Sequence, residues 1–121
     1  MSRRILSVSY DTALLATREM LLEQKGYIVT SALGFTAATE HCHNADFDLF
    51  ILGRSIPDND KRHLIETFRN HCPAPILSLA RHGETMLPCD FHASPDDPAE
   101  FLRVVNDILA GKENRSKQRR A

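Results

Sequence analysis

The stretch Asp48-Leu49-Phe50-Ile51-Leu52-Gly53-Arg54-Ser55-Ile56-Pro57 lies near the middle of the chain and decides its fold. Its apolar residues follow one another without alternation, which is typical of a short strand covered on both faces. The run stops at a glycine and is followed by a turn that ends in Ile-Pro. We therefore predict the central strand of a parallel α/β sheet, ending at position 53.

Position 53 has a special place in such a sheet, because open parallel sheets carry their chemistry in the crevice beyond the carboxyl ends of the strands. The residue found there is glycine. A glycine offers no nucleophile, no base and no metal ligand, so the usual place for a reactive side chain is empty.

Size and composition indicate one soluble domain. The chain has 121 residues, of which 42% are apolar and 26% charged, as in ordinary globular proteins. No apolar run approaches the roughly 18 residues of a membrane span, and the N-terminus has no signal-peptide core. We expect a cytoplasmic protein without membrane contact. Its three scattered cysteines, Cys42, Cys72 and Cys89, are expected to be reduced thiols.

Charge is unevenly distributed along the chain. Residues 112–121 hold five basic side chains and one acid, a net charge of +4, which leaves −5 on residues 1–111. The last ten residues have no apolar periodicity, so we predict a domain at 1–111 and a disordered basic tail or linker stub at 112–121. The basic residues of this tail are Lys112, Arg115, Lys117, Arg119 and Arg120.

Strands and helices are predicted to alternate. The predicted strands are residues 4–8, 27–30, 48–52, 76–79 and 90–93. Asp11 is expected to cap a first helix that Gly26 ends, a short helix spans 35–43, Asp60 caps a third helix, and the capping box at Asp97 starts a last helix that Gly111 ends. The predicted inward residues are Leu14, Leu21, Leu15 and Leu22, then Leu64, Ile65, Phe68 and Cys72, and finally Phe101, Leu102, Val105, Ile108 and Leu109.

The order of these elements, with Asp11 after the first strand, the stretch 48–57, the strand at 76–79 and Ser94-Pro95 before a capped helix, resembles the receiver domain of bacterial response regulators. The resemblance covers about residues 3–110. It implies a flavodoxin-like three-layer sandwich with a five-stranded parallel sheet in the order 2-1-3-4-5.

The resemblance also implies a vestigial phosphoacceptor pocket. Receivers accept a phosphoryl group on an aspartate that ends the third strand, with Mg²⁺ on acids after the first strand, a hydroxyl after the fourth and a lysine after the fifth. Here the acceptor position falls on Gly53, the acidic pair on Ser9 and Tyr10 with Asp11 just beyond, the hydroxyl on Ala80 and the lysine on Ser94. Pro95 implies a cis Ser94-Pro95 bond.

These replacements determine whether the pocket can form an aspartyl phosphate and bind Mg²⁺. Aspartyl phosphate formation needs a carboxylate nucleophile, and Mg²⁺ needs hard oxygen ligands. A single acid, Asp11, is a poor magnesium site, and its role as a helix cap accounts for it. We therefore expect no receiver phosphorylation, no catalytic residue, no metal and no cofactor.

Two arginines, Arg54 and Arg81, should lie just past strand ends at the rim of the pocket. There a guanidinium could pair with Asp11 in place of the metal, or both could be plain surface residues. Phe91 falls where the resemblance implies an aromatic side chain that switches between two positions, and a fixed, packed ring is the alternative.

The connection between the fourth and fifth strands is short, with nine residues from Arg81 to Cys89. A helical crossover between parallel strands needs about a dozen. We predict that the receiver family's fourth helix is missing or a single turn. The remodelled interaction surface would then include Phe91, Met86, Leu87 and Val104.

Other groups of potential metal-binding or catalytic residues are weaker candidates for a site. Neighbours on a helix point about 100° apart, so His41-Cys42-His43 should not bind one metal ion. The serines lack a glycine elbow, which disfavours a hydrolase.

The sequence therefore favours a phosphorylation-independent, non-enzymatic receiver-like module that binds another protein or a second copy of itself, in bacterial signalling or transcriptional regulation. A nucleic-acid-associated protein that uses the basic tail is one alternative, and its binding should weaken with salt. A sensor of a small anionic ligand at Gly53 is the other.

Overall fold

The computed structural model describes residues 3–80 and 89–118, with side chains described as far as residue 111. The strands are β1 (Arg4–Ser9), β2 (Ile28–Leu33), β3 (Leu49–Leu52), β4 (Ile76–Leu79) and β5 (Phe91–Ala93). The helices are α1 (Thr12–Gln24), α2 (Phe35–Asn44), α3 (Asp58–His71) and α4 (Pro98–Gln118).

All five strands are parallel and form one sheet in the order β2-β1-β3-β4-β5. This confirms the predicted flavodoxin-like sandwich. β3 is central, and all four of its residues are buried. Helices on both faces explain why its sequence does not alternate.

The two faces of the sheet carry separate cores. Phe50 and Leu52 point to the face covered by α2 and α3, where Phe50 stacks on Phe68 with ring centroids 4.2 Å apart. Leu49 and Ile51 point to the opposite face, with apolar residues of α1 and α4. Side chains of β3 therefore alternate between two apolar layers, and Gly53 continues the series that points toward α1.

Helix α1 begins as predicted, because the Asp11 carboxylate accepts the Leu14 backbone N–H at 3.1 Å. The prediction of the residues on its buried face is only partly correct. Leu15 and Leu22 are buried, but Leu14 is 40% exposed and the third buried residue is Arg18. Arg18 lies between the two buried leucines on the same face, since residues three or four apart share one side of a helix.

Helix α3 begins two residues before the predicted cap. Pro57 is the N-cap, with an extended backbone, and Asp58 and Asp60 lie in the first turn. The prediction that Asp60 caps this helix is wrong because its carboxylate accepts a hydrogen bond from the Tyr10 hydroxyl instead.

Two predictions at the C-terminal end of the domain are also corrected. Helix α4 continues beyond Gly111 to Gln118, so this glycine does not end it; a single glycine inside a helix costs only about 1 kcal/mol. The Ser94-Pro95 bond is trans, the form that X-Pro bonds ordinarily prefer. The separate tail at residues 112–121 stays a prediction.

The predicted loss of the receiver's fourth helix concerns residues 81–88, which lie outside the described residues. Cys42, Cys72 and Cys89 are free thiols. Within the part of the chain that the structure describes, no helix has the length and apolarity needed to cross a membrane.

Candidate functional site at the carboxyl edge of the sheet

The carboxyl ends of β1 and β3 meet at one edge of the sheet. The Gly53 backbone N–H donates to the Val8 carbonyl at 2.9 Å, which places Gly53 directly beside the end of β1. The hydroxyl groups of Ser9 and Ser55 lie 3.1 Å apart across this junction. The sheet therefore brings together the two positions that hold acids in receiver domains.

Serine hydroxyls hold the loops of this edge in place. Ser55 accepts the Tyr10 backbone N–H at 2.9 Å, and Ser9 accepts the Asp11 backbone N–H at 3.0 Å. The contacts of Ser55 with Ser9 and with the Tyr10 backbone link the loops that follow β1 and β3, and the Ser9–Asp11 bond orders the first of these loops. Ser9 therefore has a structural role here.

Tyr10 reaches across the edge to α3. Its hydroxyl donates to Asp60 Oδ2 at 2.8 Å. Burial, the hydrogen bond and the negative charge of Asp60 together raise the pKa of Tyr10 to about 12. The Asp60 carboxylate, which the sequence indicated as a helix cap, therefore accepts a hydrogen bond from Tyr10.

The contact between Tyr10 and Asp60 predicts that the Tyr10 hydroxyl ionises at a higher pH than an ordinary tyrosine. In a Tyr27→Phe variant, which leaves one tyrosine, ultraviolet absorbance should report ionisation of Tyr10 near pH 12 instead of the usual 10.0. Because the folded-state pKa is the higher one, the contact stabilises the fold below pH 10 and this contribution is lost as the pH rises toward 12. Asp60→Asn should lower the Tyr10 pKa, and an unchanged value in that variant would contradict the assignment.

Arg18 occupies the space beside Gly53. A Cβ atom added to Gly53 would lie 2.7 Å from Arg18 Nη1 and 3.1 Å from the Val8 carbonyl oxygen. Only a residue without a side chain leaves the guanidinium in this position. A cation that comes from α1 therefore lies directly beside the end of β3.

The Arg18 guanidinium is poorly compensated. The residue is 6% exposed, and burial lowers its pKa while the charge of Asp11 opposes the shift. Among the described residues, Nη1 has no hydrogen-bond partner. The Ser7 hydroxyl, fully buried on β1, has none there either.

A second buried cation reaches the same edge from the other face. Lys61 of α3 is 4% exposed, and its Nζ donates to Ser78 Oγ at 3.0 Å and to the Leu79 carbonyl at 3.1 Å. This ammonium group therefore lies at the carboxyl end of β4, directly before Ala80.

The remaining predicted site residues are more dispersed. Ala80 donates its backbone N–H to the Ala93 carbonyl, and the Ser94 hydroxyl accepts the Asp96 backbone N–H. Arg54 is exposed. Phe91 and Val104 are partly buried against the α1 and α4 core. Arg81, Met86 and Leu87 lie outside the described residues.

Cys89 Sγ lies 3.2 Å from His92 Nε2, but the run His41-Cys42-His43 does not converge on one point. Cys42 is buried, while His43 turns to the surface and packs against His71 with ring centroids 4.1 Å apart. Across residues 3–80 and 89–118, no group of three or more potential ligand side chains could hold a metal ion.

Sequence reasoning missed both buried cations. A signal for Arg18 was present, because it stands between Leu15 and Leu22 on the apolar stripe of α1. Lys61 likewise precedes Leu64 by three residues and shares the inner face of α3. Charged residues are almost never fully buried without partners, so an apolar pattern alone does not indicate that a charged residue within it is buried.

Comparison with known proteins agrees on the fold. No protein-family model matches the chain. Protein PetR of Rhodobacter capsulatus is 26% identical over 113 residues, which cover 87% of this chain and 48% of PetR. The chain thus spans about half the length of the curated relative that it matches.

Solved structures are similar over nearly the whole chain. A CheY-like receiver domain protein from Methanospirillum hungatei has a TM-score of 0.83 at 24% identity and covers 95% of this chain and 99% of its own. A two-component response regulator from Clostridium difficile has a TM-score of 0.79 at 20% identity, with coverages of 93% and 99%. A CheY-like receiver domain from Methylobacillus flagellatus has a TM-score of 0.77 at 18% identity, with coverages of 89% and 99%. The chain therefore has the fold of response regulator receiver domains.

Proposed function

We propose that the domain is a phosphorylation-independent receiver-like module that acts in bacterial signalling or transcriptional regulation by binding another protein. The observation that carries this proposal is the Arg18 guanidinium beside Gly53. The receiver fold supports a regulatory role, while the residues of its pocket do not support phosphoryl transfer.

The chemistry of the pocket argues against phosphorylation. An acyl phosphate forms when a carboxylate attacks phosphorus, and Gly53 has no side chain. Mg²⁺ would need several oxygen ligands, yet Asp60 accepts from Tyr10 and Asp11 caps α1. A guanidinium at the acceptor position would also repel the metal ion. Among the residues that the structure describes at this edge, neither a carboxylate at position 53 nor a set of free oxygen ligands for Mg²⁺ is present.

An exposed apolar surface at the same edge supports protein binding. Leu14 at the start of α1, Leu33 at the end of β2 and Phe35 at the start of α2 are 40%, 50% and 37% exposed. The Gly34 backbone N–H donates to the Ser9 carbonyl, which joins the β2 end of this surface to the pocket. Exposed apolar side chains can serve as contacts for a partner protein, and we propose that role for these three.

Exposure to a phosphodonor tests this function. Incubation with acetyl phosphate and Mg²⁺ should leave the intact mass unchanged, because no carboxylate is available at position 53. A receiver domain with its aspartate present is the positive control. A hydroxylamine-sensitive gain of one phosphoryl group within residues 48–60 would refute the proposal.

Two alternatives remain as proposals. Nucleic-acid binding would use the basic residues after Gly111, whose side chains lie outside the described part of the structure. A role for the pocket in sensing a small anion is favoured by one specific observation, the poorly compensated charge of Arg18.

A further inference from the structure

A buried cation without a complete set of partners lies at the carboxyl edge of the sheet. We propose that Arg18 binds a small oxyanion, a carboxylate or a phosphate, in the pocket beside Gly53. This inference rests on the proposed function in one respect, since it requires that the pocket is not a phosphorylation site.

The first argument is the cost of leaving Arg18 uncompensated. Only 6% of the residue is exposed to solvent, and Nη1 has no hydrogen-bond partner among the described residues. A charge that loses its water shell without a partner is strongly destabilising. The carboxylate that acts on it, Asp11, is exposed and already accepts from the Leu14 backbone.

The second argument is the position of the free donor. Nη1 lies 2.7 Å from the position that a Cβ atom of residue 53 would take, so it faces the side of Gly53 that carries no side chain. The unpartnered Ser7 hydroxyl belongs to the same layer, because Ser7 alternates with Leu6 and Val8, which point to the α2 and α3 face. Two buried polar groups without partners thus lie between β1 and α1, one of them charged.

The third argument concerns the type of ligand. A guanidinium pairs best with planar or tetrahedral oxyanions, which can accept two parallel N–H bonds. A water molecule could satisfy the hydrogen bond but not the charge. Arg54 and Ser55, which directly follow Gly53, are exposed, so the pocket lies close to the surface at this point.

Binding can be measured with sodium phosphate and sodium acetate as separate probes, at constant ionic strength set with sodium chloride. Thermal unfolding and titration calorimetry should show saturable binding of at least one probe, since a ligand that binds only the folded state raises its stability. A response to acetate alone would identify a carboxylate site, and a response to phosphate alone a phosphate site.

Variants decide whether Arg18 is responsible. Affinity should fall by about tenfold or more in Arg18→Met, because a charge-assisted bond is lost. It should persist in Arg103→Met, which removes an arginine that is 68% exposed. Gly53→Asp, which supplies a carboxylate within the chain, should also abolish the response while keeping the fold.

No saturable response to either probe, or a response that survives Arg18→Met, would overturn the proposal and leave a buried water as the partner of Nη1. The outcome is separable from failure of the proposed function. A phosphorylated protein keeps its added mass after desalting, whereas a reversibly bound oxyanion leaves the mass unchanged.

Discussion

Arg18→Met is expected to raise the free energy of unfolding by about 1 to 4 kcal/mol in buffer free of phosphate and carboxylates, the range seen when buried ionic groups are replaced by apolar ones. Methionine is similar in length and keeps the packing between Leu15 and Leu22. It removes a guanidinium whose Nη1 finds no partner in the described structure. The gain is large because the desolvation of the guanidinium is relieved and Nη1 has no hydrogen bond to lose within the described residues.

Urea denaturation with unchanged m-values would measure this gain. Arg103→Met, at an exposed ion pair with Glu100, should change stability by less than about 1 kcal/mol. A destabilised Arg18→Met protein would show that the guanidinium is well compensated in the folded state and would contradict our description of the pocket.

A double-mutant cycle with Gly53→Ala extends the test. The added methyl group would lie 2.7 Å from Nη1 in the wild-type background. Methionine at position 18 removes this contact and leaves the approach to the Val8 carbonyl at 3.1 Å. The two substitutions should therefore be coupled, with Gly53→Ala less harmful in the methionine background.

The architecture could be predicted from the sequence because its main signals are local. The apolar run at 49–52 indicates a strand buried on both faces, and the structure places all four residues in the core. Asp11 as an N-cap and Gly26 after α1 are confirmed, the latter with a φ of 89° that favours glycine. These features depend on a few neighbouring residues.

The site could be predicted only in part, because its key contacts join residues far apart in the chain. Asp60 has the sequence context of a helix cap, yet its partner is Tyr10, fifty residues earlier. Arg18 belongs to an apolar stripe, and only the geometry of α1 against β3 shows that its long side chain reaches Gly53. The cation beside Gly53 thus comes from α1, and the pairing of Arg54 or Arg81 with Asp11 stays a prediction.

Two buried cations lie near the carboxyl edge of the sheet. Arg18 approaches this edge from the α1 face and Lys61 from the α3 face, where Lys61 binds β4. The positive charge of Arg18 favours an anion over Mg²⁺ beside Gly53, in agreement with both the proposed absence of phosphorylation and the proposed oxyanion site.

Lys61→Ala is expected to lower the free energy of unfolding by about 2 to 4 kcal/mol, a range typical of truncating a long buried side chain. The residue is 4% exposed, so its methylene stem is packed between α3 and β4. Truncation leaves a cavity there and removes the donor from Ser78 Oγ and from the Leu79 carbonyl. Each lost bond to a charged donor adds roughly 1.5 to 3 kcal/mol before relaxation and hydration reduce the effect.

Two comparison variants separate packing from hydrogen bonding at this position. Lys61→Met keeps most of the stem and should be less destabilised than Lys61→Ala. Ser78→Ala removes one acceptor of the same ammonium group and should cost roughly 1.5 to 3 kcal/mol before relaxation and hydration reduce the effect. Chemical denaturation of the three proteins gives the ranking directly. If Lys61→Ala were as stable as the wild type, the ammonium group would contribute nothing net to the fold. The bonds to β4 would then be a consequence of burial, and the α3 cation would not be part of what holds this edge together.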